Sequence, residues 1–124
     1  MIKEIAFIFY PVKNFERARK FYEELLDLKP EYKSDNGKLK YVEYDVGGTT
    51  FTNGVGTTLF KYSEEGPCVA FEVNDFDSMI KRLKDNNVKF INEPRETPIC
   101  WNVMIADPDG SKIMIHKRKS IKSV

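Results

Sequence analysis

The chain has 124 residues, 31% of them charged and 41% hydrophobic, a globular balance at single-domain length that excludes a disordered tail, a collagen-like repeat and a disulfide-dense scaffold. Twenty basic against nineteen acidic side chains leave a net charge of +1, too even for recognition of nucleic acid by charge alone. No apolar run approaches the roughly 18 residues of a membrane helix, the opening Met1-Ile2-Lys3-Glu4 carries no secretory pattern, and Cys68 and Cys100 form neither a C-x-x-C pair nor a zinc set; a cytoplasmic protein with reduced thiols and no nucleic-acid or membrane partner is expected.

In chain order, residues 5–10 form an apolar run that reads as a strand. Asn14 stands where a helix N-cap belongs, with Phe15 and Glu16 in the first turn after it. From 14 to 26, Phe15, Ala18, Tyr22, Leu25 and Leu26 recur at helical spacing, while Glu16, Arg17, Lys20 and Glu23 fall mostly on the other side. The period then changes to two. Residues 41–46 alternate, Gly47-Gly48 marks a turn, and 49–51 and 57–62 are rich in β-branched and aromatic residues.

The second half repeats the first. Residues 12–20 can be laid on 73–81 at an offset of 61, about half the chain. A strand over 69–73 leads to a helix carrying Phe76, Met79, Ile80 and Leu83, which stops near Asp85-Asn86-Asn87. Strands over 89–91, 99–106 and 112–116 follow, the last two joined by the turn Asp107-Pro108-Asp109-Gly110. The fold class is therefore α+β: one domain, 1–124, of two βαβββ modules at about 1–62 and 67–118, with 119–124 a basic tail. A four-stranded mixed sheet with one helix leaves one face open, so the two sheets are expected to curve around a shared concave groove.

The run Pro11-Val12-Lys13-Asn14-Phe15-Glu16-Arg17-Ala18, then Lys20-Phe21-Tyr22-Glu23-Glu24-Leu25-Leu26-Asp27-Leu28, resembles the opening of the vicinal oxygen chelate superfamily, which includes glyoxalase I, bleomycin-resistance proteins and extradiol dioxygenases. Val69-Ala70-Phe71-Glu72-Val73-Asn74-Asp75-Phe76-Asp77 and Asp107-Pro108-Asp109-Gly110-Ser111-Lys112-Ile113 resemble its later signatures. The resemblance implies the paired modules just described, a homodimer, and in the enzymes a divalent Mn, Fe, Ni or Zn held by His, Gln and Glu, which polarises two adjacent substrate oxygens. The corresponding positions, counted from the strand ends and the turn glycines, fall on Phe7, Phe60, Cys68 and Met114. None offers the carboxylate or imidazole that hard cations want.

A protein with no cofactor, binding a small molecule, is the leading expectation. Bleomycin-resistance proteins are the family precedent, since they sequester a drug without chemistry. The cavity would be lined by Phe7, Phe9, Phe60, Cys68, Trp101 and Met114 and would suit an apolar or aromatic ligand. The alternative for these rings is that they fill the core or a dimer interface. The alternative function is a divalent-metal-dependent lyase or isomerase of glyoxalase I type with relocated ligands, built from His116 with Glu43 or Asp45, so the question of enzyme or binder stays open. His116, the only histidine, shares a strand face with Met114 and Lys112. It reads either as a general acid or base or as a half-exposed residue opening the basic tail. Cys68 is expected to be a small buried hydrophobe, and Asp107 and Asp109 to serve their turn.

Overall fold

In a computed structural model that describes residues 1–59 and 61–119, the chain divides into a first unit, Met1–Ser63, and a second that begins at Glu64. The first unit runs β1 (Phe7–Pro11), α1 (Phe15–Arg19), a π-helical segment (Lys20–Leu25), β2 (Pro30–Asp35), β3 (Lys40–Val46) and β4 (Thr49–Val55). The second runs β5 (Val69–Glu72), α2 (Phe76–Asp85), two short strands β6 (Lys89–Phe90) and β7 (Arg95–Glu96), then β8 (Cys100–Ala106) and β9 (Lys112–Arg118).

Both helices start as the caps dictate. The Asn14 side chain accepts from the Arg17 amide at 2.9 Å and Asp75 from the Ser78 amide at 3.0 Å, each satisfying a donor that the first turn leaves orphaned. The first helix widens into π geometry after Arg19, where the Leu26 amide reaches back five residues to the Phe21 carbonyl. Asp27 then takes a left-handed conformation (φ 60°), and Asn87 (φ 57°) does the same after α2, ending each helix.

In the first unit the sheet order is β1-β4-β3-β2, with β1 parallel to β4 and the other pairs antiparallel. The second sheet runs β5-β9-β8-β6, with β5 parallel to β9, and β7 also pairs with β8. Both sheets are open. Thus β6 and β7 share one edge of β8 as an interrupted fourth strand, and across the interruption the Met104 amide donates to the Asn92 side chain at 2.9 Å. Within β3 and β4, Val46 pairs with Thr49 around a two-residue loop whose glycines both take positive φ, 61° and 91°.

Each helix covers one face of its sheet. In the first unit Tyr22 packs on Phe51 (ring centroids 5.3 Å) and Tyr44 (6.5 Å), and Phe51 on Tyr10 (5.2 Å). Tyr44 is held at its rim by the Glu23 carboxylate, 2.9 Å away, and burial followed by this bond drives its phenol pKa above the ordinary value. In the second unit Phe71, Val103, Ile105, Ile113 and Ile115 form the same layer, with Phe76 and Leu83 buried on α2.

One expected strand is absent and one unexpected strand takes its place. Residues 57–62 were expected to be a strand, but those described there are loop; the missing strand is β2, which pairs with β3 through a bulge between Pro30 and Tyr32. β2 was hidden because it is an edge strand of polar, mostly exposed side chains, with no apolar alternation to announce it. The expected strands at 89–91, 99–106 and 112–116 are present as β6, β8 and β9, with ends shifted by one or two residues.

Candidate functional site

Strand pairing fixes which side chains share the face turned away from each helix. In the first unit Phe7 and Phe9 lie beside Thr50, Thr52 and Gly54 across the parallel pair, and Tyr41 and Glu43 continue the row on β3. Phe7 is 56% exposed. The Phe9 ring lies against Gly54: a Cβ there would sit 2.7 Å from Phe9 Cζ and 2.9 Å from the Lys40 carbonyl, so only glycine lets the ring down onto the sheet. Thr52 is 2% exposed and its hydroxyl has no partner among the described residues. Tyr32 and Tyr41 flank the row with ring centroids 6.0 Å apart.

The second unit uses the same face differently. Ala70 pairs with Met114 and Glu72 with His116, while Met104 faces Met114 and Asn102 faces His116 across β8 and β9. Cys68, just ahead of β5, places its sulfur 3.7 Å from Met104 Sδ. As a residue Cys68 is exposed rather than buried, yet partial burial of its sulfur holds the thiol pKa above the ordinary value. Cys100, in contrast, is buried.

His116 is fixed. Its Nδ1 lies 2.6 Å from Glu72 Oε1, and Glu72 Oε2 accepts the Arg118 amide at 2.6 Å. Burial raises the Glu72 pKa, but the Arg118 amide and then His116 outweigh it, and the carboxyl sits below the usual range.

Of the residues singled out by sequence, Phe7 and Phe9 lie together on the open face of the first unit, and Cys68, Met114 and His116 on that of the second. Trp101 does not join them. It pairs with Lys117 and Glu96, so alternation turns it to the helix side of its sheet, where Lys119 Nζ stands 4.8 Å from its ring centroid and a cavity of about 290 Å³ is lined by Trp101, Lys117, Asn74, Asp75, Phe76 and Asp77. Lys119, expected in the basic tail, is thereby held, with its ammonium also on Glu96. Phe60 and residues 120–124 lie outside the described residues. The count that chose Phe60 assumed a strand at 57–62. With β4 as the strand beside β1, matching the two parallel registers puts Thr52 in the first unit where Met114 stands in the second.

Asp107 belongs to its turn, as expected: its Oδ1 accepts the Asp109 and Ser111 amides at 3.0 and 2.9 Å. What sequence reasoning missed is Cys100. The Asn102 side chain donates to its sulfur at 3.3 Å and Thr97 Oγ1 lies 3.3 Å away. The signal available was the i, i+2 spacing of Cys100 and Asn102 on a strand of buried side chains, whereas the pairing of Glu72 with His116 becomes visible only once the parallel strands are known.

Among the described residues no three His, Cys, Asp or Glu side chains come together as a metal-binding group. The donors at the positions that the fold reserves for a divalent metal are phenyl, thiol and thioether, with the Thr52 hydroxyl at the fourth. They do not fit such an ion.

Two units, each a mixed sheet with its last strand parallel to its first and one helix on a single face, define the class to which glyoxalases, bleomycin-resistance proteins and fosfomycin-resistance proteins belong. A family model described as a glyoxalase-like domain matches residues 5–119, and the chain belongs to that family. It is 25% identical over 121 residues to the metallothiol transferase FosB of Staphylococcus saprophyticus, covering 94% of this chain and 78% of that protein. Its structure is similar to TnmS3, an antibiotic-binding protein from Streptomyces sp. CB03234 (TM-score 0.77, 19% identity, 95% of this chain and 98% of the other). It is also similar to the fosfomycin resistance protein FosX of Mesorhizobium loti (TM-score 0.72, 18% identity, 94% and 92%). At these identities the structural likeness speaks for the fold.

Proposed function

We propose that this protein is a metal-independent binder of a small apolar or aromatic molecule, held against the open sheet face of the first unit by Phe7 and Phe9. The observation that supports this most directly is the donor set: the positions that would carry hard metal ligands carry a ring, a thiol and a thioether, and Phe7 leaves more than half of its surface to solvent. Aromatic rings give such a ligand stacking area. TnmS3, an antibiotic-binding protein, is a precedent for binding on this fold. The family also makes a homodimer the expected assembly, which light scattering checks directly.

The test has two arms. Dialysis against Mn, Fe, Ni and Zn followed by mass spectrometry is expected to leave far less than one metal per chain, and near-stoichiometric retention overturns metal independence. Anilinonaphthalene sulfonate, a flat apolar dye, is expected to bind and to lose several-fold in affinity in Phe7→Ala. Binding unchanged by Phe7→Ala and by Phe9→Ala would remove these rings from the site.

A further inference from the structure

Three sulfur-bearing side chains share the open face of the second sheet. Cys68 stands just ahead of β5 and Met104 on β8, two strands away in the order β5-β9-β8, yet their sulfurs lie 3.7 Å apart, so the two side chains meet over β9. On β9, Met114 is the same-face residue beside both: it pairs with Met104 on one side and with Ala70, two residues on from Cys68, on the other. The Met104 carbonyl accepts from the Ile91 amide at 2.8 Å and the Met104 amide donates to Asn92, so its backbone polar groups turn away from β9. Met104 and Met114 are therefore a non-hydrogen-bonded pair, the closer kind, with Cβ atoms about 4.5–5.5 Å apart. Ala70 adds only a methyl beside them, which leaves the thioethers room to turn. Solvent reaches all three, Cys68 as an exposed residue and both methionines as part-exposed ones.

We propose that Cys68, Met104 and Met114 form a binding site for a soft monovalent metal ion, Cu(I). Thiolate and thioether sulfur are the donors that select this ion, whereas hard divalent ions want oxygen and nitrogen, and zinc takes thiolate without thioether. The spacing agrees. Two sulfurs each about 2.3 Å from one metal, at angles between tetrahedral and trigonal, lie about 3.8–4.0 Å apart, and the Cys68–Met104 separation of 3.7 Å needs almost no movement to match. The rotatable bonds of a methionine let Met114 swing its sulfur into the third position. Cys68 and Met114 stand at two of the places that the fold reserves for a divalent metal, and Met104 comes from outside that set, so the loss of hard donors becomes a change in the class of metal. The Cys68 thiol donates to the Val69 carbonyl at 3.3 Å. Binding breaks the S–H bond, forms the S–Cu bond and releases the proton to solvent. Copper enters as Cu(I) and stays Cu(I), so nothing is oxidised or reduced, and one positive charge replaces another. Small-molecule binding through Phe7 and Phe9 of the first unit does not draw on this site.

The probe is Cu(I) itself, delivered anaerobically to the reduced full chain from its bicinchoninate complex. One Cu(I) per chain with an ultraviolet thiolate-to-copper charge-transfer band is expected, and X-ray absorption of the wild-type complex should count three sulfurs around the metal. Met104→Leu and Met114→Leu conserve side-chain volume and hence the fold. Each is expected to weaken binding at least about tenfold, the loss that even an outer-shell partner produces. Cys68→Ser should remove the charge-transfer band, while Met79→Leu, which alters a sulfur on α2, leaves it. Failure of the wild-type chain to take copper from bicinchoninate overturns the proposal. So does a copper shell of one sulfur among nitrogens and oxygens, or affinity unchanged in either methionine variant, because an exposed thiol alone would then account for the binding. Binding that survives in Cys68→Ser places the metal elsewhere and overturns it too. Equimolar Zn(II) is expected to leave the copper in place, and displacement by Zn(II) would refute a soft site.

Discussion

The two units share a plan and differ in what they do with it. When the parallel registers are matched, Pro11 and Gly54 of the first unit occupy the places of Glu72 and His116 in the second, and Thr52 occupies that of Met114. On one unit the open face is a platform of rings with a glycine under Phe9. On the other, the same backbone positions hold the hydrogen-bonded Glu72–His116 pair, beside a row of sulfur atoms. The helix-facing sides remain alike, built mainly of buried apolar side chains in both. Packing against a helix constrains one face of each sheet closely, while the other face is free to diverge, carrying aromatic rings in one half and a carboxylate–imidazole pair with sulfur side chains in the other.

The comparison breaks first where the units are alike. Phe51→Ala is expected to cost about 3–5 kcal/mol and Ile113→Ala about 2–5 kcal/mol, because each empties the layer beneath its helix. Urea denaturation measures both, and a loss below about 1 kcal/mol at either would show that its helix-facing layer is not what holds that unit. Gly54→Ala should come next, at about 1–3 kcal/mol, since the new methyl meets both a ring and a backbone carbonyl. It is also expected to displace Phe9, visible as altered aromatic resonances.

The caps give a matched pair of smaller effects. Asn14→Ala and Asp75→Ala are each expected to cost about 1 kcal/mol, and unequal losses would mean that one helix leans more on its sheet than on its cap. The smallest effect is pH-dependent and confined to the second unit. Because the Glu72 carboxyl titrates below its usual value in the folded protein, its stabilising contribution is present above the ordinary glutamate range and is lost as pH falls through the folded value. Glu72 is partly exposed, so wild type and Glu72→Gln should differ by less than about 1 kcal/mol near neutrality. Thermal melts are expected to converge as the solution is acidified; a difference that grows with acid would reverse the assignment.

The fold was largely legible in the sequence, for a physical reason. Asn14 and Asp75 mark the helix starts, the 61-residue repeat marks the duplication, and the apolar alternation of β3, β8 and β9 reflects sheets covered on one side. What escaped was β2, a polar edge strand whose identity comes from its neighbour rather than from its own residues. The candidate site was legible only in part. Phe7, Phe9, Met114 and His116 follow from alternation. Trp101 was placed among them although it stands one residue out of phase with Cys100 and Asn102, which turns it to the opposite face. The pairing of His116 with Glu72 joins residues more than forty positions apart, and no local pattern carries that.

The parallel pairing of first and last strands has a consequence for how each half assembles. Joining Phe7 to Thr50, or Val69 to Ile113, closes a loop of about forty residues, and the entropy of that closure must be met before the contact rewards it. The antiparallel ribbons β3-β4 and β8-β9, closed by short turns, are the natural nuclei, with β1 and β5 arriving late. In such an order the residues that complete the open faces, Phe7 and Phe9 in one half and Glu72 in the other, are the last to reach their places. Substitutions there should speed unfolding more than they slow folding, so these faces can change their chemistry with little effect on the route by which the scaffold forms.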